Sequence, residues 1–256
     1  MCGRYASFRE AQDLADAFGI DVDDVAPDAA ALPPSWNLAP TDRVRIVVER
    51  PPKDAPDADA PRSLRLARWG LVPGWAKDPS VGSRMINARV ESLATKPAFR
   101  KAVAQRRCLV PAEGYYEWTD PPEGSPRRTP RVPHWIHPAD GRPLAFAGLY
   151  AFWRDPTRDA DDPLRWLVTT TIVTGGAVTD DPAVAALHDR RPVILEPSVW
   201  DAWLDPHLVD SERAVALLHH PPTRLVATQV DTAVNVVGTD GPELIEPVDG
   251  PAAPAP

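Results

Sequence analysis

Cysteine is scarce in this sequence of 256 residues. There are only two, Cys2 and Cys108, and neither belongs to a CxxC pair or a Cys/His cluster. Two cysteines allow at most one disulfide, and a structural zinc site needs about four Cys or His ligands at short spacings. We therefore expect a protein of a reducing, cytoplasmic compartment that carries no metal ion and no other cofactor.

Long apolar runs are missing as well. No run reaches the roughly 18 residues of a membrane-spanning helix, and the N-terminus lacks the apolar segment of a secretion signal. Lysine is rare, so arginine supplies most of the positive charge, and the formal net charge is −8. We expect no membrane partner and, by default, a monomer. The acidic total does not indicate nucleic-acid binding, although a local basic groove can coexist with it.

Proline, by contrast, is abundant, with 32 residues. Because proline removes a backbone donor, it confines strands to the segments between proline clusters. Apolar patterns predict short strands at 44–48, 64–72, 107–112, 134–137, 143–150, 166–173, 192–195 and 224–230. The prolines of 119–133 exclude a strand there. Residues 50–62 are predicted to be a solvated loop, and 250–256 a disordered tail.

Helical patterns are few. Ser7 and Glu10 have the spacing of a capping box, and the apolar residues that follow recur on one helical face until Gly19. Further helices are predicted from about residue 95 past residue 103, and at 197–204 and 211–219, with a short helix or turn at 182–188. Many short strands, few helices and no regular βαβ alternation favour an α+β fold. We expect a mainly antiparallel, curled or barrel-like sheet with peripheral helices, forming one domain over residues 1–249.

Cys2 directly follows the initiator methionine. Methionine removal is favoured before a small residue, so we expect the mature chain to begin with Cys2. Its α-amine and thiol, with ordinary pKa values of about 7.7–8.0 and 8.5, would then both be partly unprotonated near neutral pH. Such a 1,2-aminothiol condenses with an aldehyde to a Schiff base, and the thiol then closes on the same carbon to give a thiazolidine. The alternative is that Cys2 is a small buried apolar residue.

Three other polar residues could carry chemistry. Glu117 lies between tyrosines and a tryptophan, and desolvation by these rings would raise its pKa toward the range useful for proton transfer. His188 precedes an aspartate and two arginines and could act as a general acid or base. Asn87, beside Arg89, could hold a phosphate or a polarised oxygen. The residues alone leave open that Glu117 is a surface glutamate and that His188 satisfies carbonyls at a helix end.

Seven motifs occur in one order along the chain. They are MCGRY at 1–5, WNLAP at 36–40, WGLVPGW at 69–75, INARVE at 86–91, EGYYEW at 113–118, HDRRPVIL at 188–195 and GPELI at 241–245. Each alone is modest evidence, but their order and the terminal position of the first make the set specific. The sequence resembles the SOS-response-associated peptidase (SRAP) family, and the resemblance extends from residue 2 to about residue 248.

The resemblance implies a function. Members of this family protect abasic sites in single-stranded DNA through a covalent DNA–protein cross-link, and an abasic site opens to the aldehyde that a 1,2-aminothiol traps. By matched position, Cys2 would be the nucleophile, and Asn87 would orient the sugar oxygens or the Cys2 amine. Glu117 would shuttle protons during Schiff-base formation. His188 would protonate the opened sugar oxygen and could promote reversal or strand scission, an abasic-site lyase activity.

The resemblance also implies a DNA-binding surface. Phosphates beside the lesion would be held by Arg4, Asn37, Arg89 and Arg190. Neighbouring bases would be wedged and stacked by Pro40 and Trp75, and Thr170 would line the pocket. The loop between Trp75 and Asn87 looks long for the family, and the proline-rich segment 119–133 replaces what is often a lysine-rich hairpin. We expect DNA contacts to differ there.

Two other functions compete with this interpretation. One is a cysteine peptidase that uses Cys2, His188 and an acid, with an action that could be limited to autocatalytic removal of Met1. The other is a non-catalytic module that binds single-stranded DNA. A thiol peptidase needs no free α-amine, whereas thiazolidine formation does, and a binding module forms no covalent product.

Overall fold

The computed structural model describes residues 2–51, 58, 60–176, 182–219 and 223–248. Its strands are β1 (Tyr5–Ser7), β2 (Ser35–Leu38), β3 (Arg43–Glu49), β4 (Arg62–Trp69), β5 (Asn87–Arg89), β6 (Arg107–Ala112), β7 (Gly114–Thr119), β8 (Val132–Pro138), β9 (Leu144–Arg154), β10 (Trp166–Gly176), β11 (Arg190–Pro192) and β12 (Leu225–Gln229). Its α-helices are α1 (Ala11–Phe18), α2 (Pro27–Ala30), α3 (Arg100–Gln105), α4 (Pro182–Leu187), α5 (Pro197–Leu204) and α6 (Ser211–Ala216). Short 3₁₀ turns lie at Val22–Asp24, Pro79–Arg84, Val90–Ser92, Pro163–Arg165, Thr232–Asn235 and Pro242–Ile245.

Five strands close into a barrel in the order β10-β4-β3-β6-β9, because β9 also pairs with β10. Most neighbours in the ring are antiparallel, but β4 and β5 both run parallel to β10. The strands β5 and β11 lie against the C-terminal half of β10. This architecture confirms the predicted α+β fold with a mainly antiparallel, barrel-like sheet and peripheral helices.

A second, antiparallel sheet holds the N-terminal segment. Its strand order is β12-β8-β7-β1-β2, so that β1 lies between β7 and β2. Tyr5 of β1 pairs with Tyr115 on one side and with Leu38 on the other. The ring of Tyr5 packs edge-on against Trp69 and Phe146 of the barrel, with centroids 5.1 and 5.9 Å apart. This packing anchors the start of the chain between the two sheets.

The first helix shows where a local pattern failed. Ser7 was predicted to be its N-cap, but Ser7 is the last residue of β1, and Glu10 occupies the cap position without a side-chain cap. Ser7 pairs with Ser35 of β2, and this strand pairing replaces the predicted helix cap. The rest of the prediction is confirmed. One face of α1 is buried, formed by Ala11, Leu14, Ala15 and Phe18, and Gly19 ends the helix at φ +66°.

Other boundaries also differ from the sequence prediction. The segment 119–133 was expected to contain no strand, yet β7 ends at Thr119, and β8 begins at Val132 and includes Pro133. The strand predicted at 192–195 is shifted, because β11 covers Arg190–Pro192 and Ile194 forms only an isolated bridge to Phe146. The predicted tail at 250–256 and most of the tip of the 50–62 loop lie outside the described residues.

Two glycines let the two ends of the long loop between β4 and β5 approach each other closely. A Cβ on Gly70 would lie 2.6 Å from the carbonyl oxygen of Gly82, and a Cβ on Gly82 would lie 2.5 Å from that of Gly70. Gly70 also has a φ of +124°, a conformation that favours glycine. This close approach sets where Asn87 re-enters the sheet.

Candidate active site

Cys2 and Asn87 are in direct contact. Asn87 begins β5, and its Nδ2 donates a hydrogen bond of 2.7 Å to the carbonyl oxygen of Cys2. The other amide atom, Oδ1, is buried and has no hydrogen-bond partner among the described residues. Asn87 therefore fixes the backbone of residue 2 and keeps one acceptor available beside it.

The Cys2 thiol is fully buried. Its Sγ lies 3.7 Å from the carbonyl oxygen of Arg4, a weak contact at most. Burial raises the pKa of this thiol far above its ordinary value, and the nearby carboxyl group of Glu117 raises it further. The buried side chain of Cys2 is therefore a thiol and not a thiolate near neutral pH.

Glu117 lies two residues beyond Tyr115 on β7, so that both side chains point to the same face of the strand. Its side chain is 4% exposed. Burial raises the pKa of Glu117, and the charge of nearby His188 opposes that rise. A narrow cleft brings these groups together, lined by Tyr115, Glu117, Ile136, Val184, Leu187, His188, Arg190 and Arg191.

His188 has two competing partners for one ring nitrogen. Its Nδ1 accepts a hydrogen bond of 2.9 Å from the backbone N–H of Arg190, and it also lies 2.8 Å from Oδ1 of Asp189. The first contact requires an unprotonated Nδ1 and hence a neutral ring with its proton on Nε2. The second is favourable only when Nδ1 carries a proton. The two contacts of Nδ1 therefore require different forms of the ring.

Arg190 lines the cleft, but other groups already bind its guanidinium. Nη1 and Nη2 donate to the two carboxylate oxygens of Glu91 at 3.1 and 3.0 Å, and Nη2 also donates to the carbonyl of Thr174 at 2.8 Å. The hydrogen bond from Arg190 holds the pKa of Glu91 below its ordinary value. A phosphate contact by Arg190, as predicted from the sequence, would compete with Glu91.

Arg4 and Asn37 hold the C-terminal segment against the second sheet. Arg4 Nη1 donates to Asn37 Oδ1 and to the carbonyl of Val234, both at 2.8 Å. Asn37 Nδ2 faces the carbonyls of Val234, Val236 and Thr239 at 3.3, 3.2 and 2.8 Å. The structure gives this pair a structural function, and the phosphate contacts stay predictions.

The remaining predicted contacts lie farther along the barrel. Thr170 is fully buried, and its hydroxyl donates 3.0 Å to the carbonyl of Leu149. Trp75 is 65% exposed and Arg89 is exposed, while Pro40 is half-buried in a turn. The side chain of Trp75 is largely exposed, as a stacking function requires, whereas the hydroxyl of Thr170 already donates to Leu149. Their DNA contacts stay predictions.

Within the described residues there is no group of three His, Cys, Asp or Glu side chains that could hold a metal ion. The same residues include no helix long and apolar enough to cross a membrane.

A comparison with protein families decides the membership of this chain. Residues 1–237 match the model of the SOS response associated peptidase (SRAP) family. The chain belongs to the SRAP family. It is 36% identical over 249 residues to the abasic site processing protein YoqW of Bacillus subtilis, covering 96% of this chain and 99% of that protein. It is also 29% identical to the abasic site processing protein YedK of Escherichia coli over 97% of this chain and 100% of that protein.

Solved structures share the SRAP fold seen here. A crystal structure of a protein from Bacteroides thetaiotaomicron matches with a TM-score of 0.74 at 23% identity, over 96% of this chain and 100% of that one. At this level of identity the likeness concerns the fold alone.

Two residues of this SRAP cleft were not predicted from the sequence. Tyr115 and Arg191 both line it beside Glu117 and His188. Burial raises the pKa of Tyr115, Cys2 and Glu117 raise it further, and Arg191 opposes the rise. Tyr115 could have been found from the sequence, because it lies two residues before Glu117 and residues i and i+2 of a strand share a face. No local pattern distinguished Arg191 from its neighbour Arg190.

Proposed function

We propose that this protein processes abasic sites in single-stranded DNA and that Cys2, once Met1 is removed, is covalently joined to the ring-opened sugar. The observation that carries the proposal is the hydrogen bond of 2.7 Å from Asn87 to the Cys2 carbonyl. It fixes residue 2 next to Glu117, the group that the proposed condensation needs for proton transfer. The names of the similar YoqW and YedK proteins support the same substrate.

The proposed reaction begins with the sugar. The abasic deoxyribose opens to an aldehyde when an acid protonates the ring oxygen and the C1′ hydroxyl loses its proton. His188 can donate that proton from Nε2 in its charged form, in which Nδ1–H faces Oδ1 of Asp189 at 2.8 Å, and the ring is then left neutral. The α-amine of Cys2 then attacks C1′, and one proton of the amine moves to the carbonyl oxygen to give a carbinolamine.

Two further steps close the ring. Glu117 in its protonated form donates to the carbinolamine hydroxyl, which leaves as water as the C=N bond forms. Glu117, now a carboxylate, takes the thiol proton as Sγ attacks C1′, and the electron pair of the C=N bond moves to the positively charged iminium nitrogen, which keeps its own proton and becomes the neutral ring amine. The balance is one aldehyde plus one aminothiol giving one thiazolidine and one water. A raised pKa suits Glu117 to both functions, because it makes the acid form available closer to neutral pH.

The environment of Cys2 favours this reaction over peptide hydrolysis. A cysteine peptidase needs a thiolate, and its site lowers the thiol pKa with a paired imidazolium. Here burial and Glu117 act in the opposite direction on Cys2. An amine that attacks first needs no thiolate, and the thiol can lose its proton to Glu117 as it closes the ring.

The same imine gives the lyase activity that we also propose. Conjugation to C=N acidifies the C2′ proton, and its removal expels the 3′ phosphate and breaks the strand. Cyclisation by the thiol removes the C=N bond and so competes with this elimination. Replacing Cys2 by serine is therefore expected to shift products from stable cross-link to strand scission.

A denaturing gel tests the proposal. The purified protein is mixed with single-stranded DNA that carries one abasic site, beside Cys2→Ser, Cys2→Ala and a form with a retained N-terminal extension. We expect a denaturant-resistant band without borohydride for the wild type and none for the blocked terminus. Borohydride is expected to trap a band from Cys2→Ser. A cross-link that persists with the blocked terminus, or no covalent band from the wild type, would refute the amine-first reaction.

A further inference from the structure

The barrel has an opening in its side, away from Cys2. The parallel strands β4 and β10 pair only at Arg68↔Thr169 and Trp69↔Thr170. Leu66 and Val168, which precede these pairs, line a cavity of about 560 Å³. It shares no lining residue with the cleft of Glu117 and His188, which lies toward the C-terminal end of β10.

The floor of this cavity is apolar. Alternate residues of one strand share a face, so the inward positions of β3, β9 and β10 form a continuous floor. That floor consists of Ile46, Val48, Tyr150, Phe152 and Val168. Phe152 and Val168 are half-buried, and so part of this apolar surface remains accessible from outside.

The rim of the cavity is cationic. The guanidinium of Arg50 lies 5.0 Å from the ring centroid of Phe152, and that of Arg106 lies 5.6 Å from it. Arg65 Nε donates 3.2 Å to the hydroxyl of Ser63, which lines the same cavity. Within the described part of the chain none of these three arginines forms an ion pair.

Asp28 also lines the cavity, but its carboxylate does not neutralise the arginines of the rim. Asp28 lies 3.2 Å from Nη2 of Arg43, which satisfies its charge. The positive field also reaches the cavity floor. Burial raises the pKa of the Tyr150 phenol, and the guanidiniums of Arg50 and Arg106 are among the groups that oppose the rise. An anion in the opening would therefore meet positive charge above an apolar surface.

We propose that this opening binds a small aromatic phosphate, with a flat ring on the floor and the phosphate on Arg50 and Arg65. Cavities of roughly 300–1,000 Å³ with apolar walls and a few convergent polar groups hold ligands of this size. Guanidinium groups match phosphate oxygens in geometry as well as in charge. A nucleotide has this chemistry, either free in solution or as part of a DNA strand that the protein holds elsewhere.

The test uses the full chain with Cys2→Ala, which removes covalent capture. Calorimetric titrations with dAMP, deoxyadenosine and inorganic phosphate measure the contributions of ring and phosphate. We expect saturable binding of dAMP, at least tenfold tighter than binding of either fragment. Absence of saturable dAMP binding at millimolar concentration, or equal affinity for deoxyadenosine, overturns the proposal.

Two variants locate the binding. Arg50→Glu reverses an exposed charge on the rim, and Val168→Trp fills the cavity without changing charge. Each is expected to weaken dAMP binding at least tenfold, whereas Arg128→Ala, at an exposed arginine outside the cavity, leaves it unchanged. If dAMP binds but neither variant weakens it, the site lies elsewhere and the proposal is wrong. Arg50→Glu alone decides the matter if Val168→Trp fails to fold.

A short single-stranded oligonucleotide distinguishes the two sources of the nucleotide. If Arg50→Glu weakens oligonucleotide binding more than Arg213→Glu, the same charge reversal at an exposed arginine outside both the cavity and the cleft, the opening takes a nucleotide of the bound strand. If Arg50→Glu weakens only dAMP binding, it takes a free nucleotide. Either result supports the site, because both require the same ring and phosphate contacts.

Discussion

Glu113 is expected to make the protein less stable as the pH rises toward neutrality. Its carboxyl group is buried just before β7, where Oε2 accepts a hydrogen bond of 2.7 Å from the backbone N–H of Phe8. Arg9 Nε lies 3.3 Å from Oε1, but without hydrogen-bond geometry. Burial outweighs these contacts and raises the pKa of Glu113 from 4.5 to about 7.

The sign and size of the effect follow from this rise. An acid with a raised pKa in the folded state binds its proton more tightly there than in the unfolded chain, so folding is favoured at low pH. The contribution of Glu113 is full below its unfolded pKa, near 4.5, and is lost as the pH rises through about 7. At about 1.4 kcal/mol for each pKa unit, the total change is about 3 kcal/mol.

Urea unfolding of the wild type and Glu113→Gln at several pH values between 4.5 and 8 measures this change. Glutamine keeps an acceptor for Phe8 but does not titrate. We expect the wild type to lose about 3 kcal/mol of unfolding free energy relative to the variant across this range. Glu123→Gln, at an exposed position, serves as the control and leaves the pH dependence unchanged. A constant difference, or a wild type that gains stability with pH, would refute the reasoning.

Three further changes test other parts of the structure. Asn87→Ala removes the amide from the cross-linking site, and its cross-linking rate in a gel time course is expected to fall about 10- to 100-fold. Gly82→Ala places a Cβ 2.5 Å from the carbonyl of Gly70, and urea unfolding should show a loss of about 1–3 kcal/mol. Glu91→Gln weakens the pairing of Arg190, which then becomes available to a DNA phosphate. Fluorescence anisotropy should therefore show tighter binding of single-stranded DNA. The slope of log affinity against log salt should also steepen by roughly 0.7.

Much of the fold was predictable because it follows from local patterns. The apolar face of α1 and its end at Gly19 depend on residues close in sequence, and both were predicted correctly. Ser7 was not, because its pairing with Ser35 brings together positions that no capping pattern relates. The closure of the barrel through β9 and β10 likewise depends on pairing between whole strands.

The same distinction between local patterns and non-local pairing applies to the residues of the site. The motifs identified Cys2 and Asn87 separately, but their contact depends on the parallel pairing of β5 with β10 and on the position of β1. The pairing of Arg190 with Glu91 is a further non-local contact. An arginine in a motif indicates positive charge, whereas only the fold reveals whether a carboxylate already lies against it.

The mass of the intact cross-linked product shows whether Cys2, freed of Met1, is the residue that joins the DNA. After reaction with an abasic oligonucleotide, mass spectrometry of the undigested adduct gives its composition, and fragmentation gives the attachment site. We expect a protein that lacks Met1, joined to the DNA with loss of one water, with the sugar carbon bonded to both the amine and the thiol of Cys2. An adduct that retains Met1, or one attached at any other residue, would contradict it.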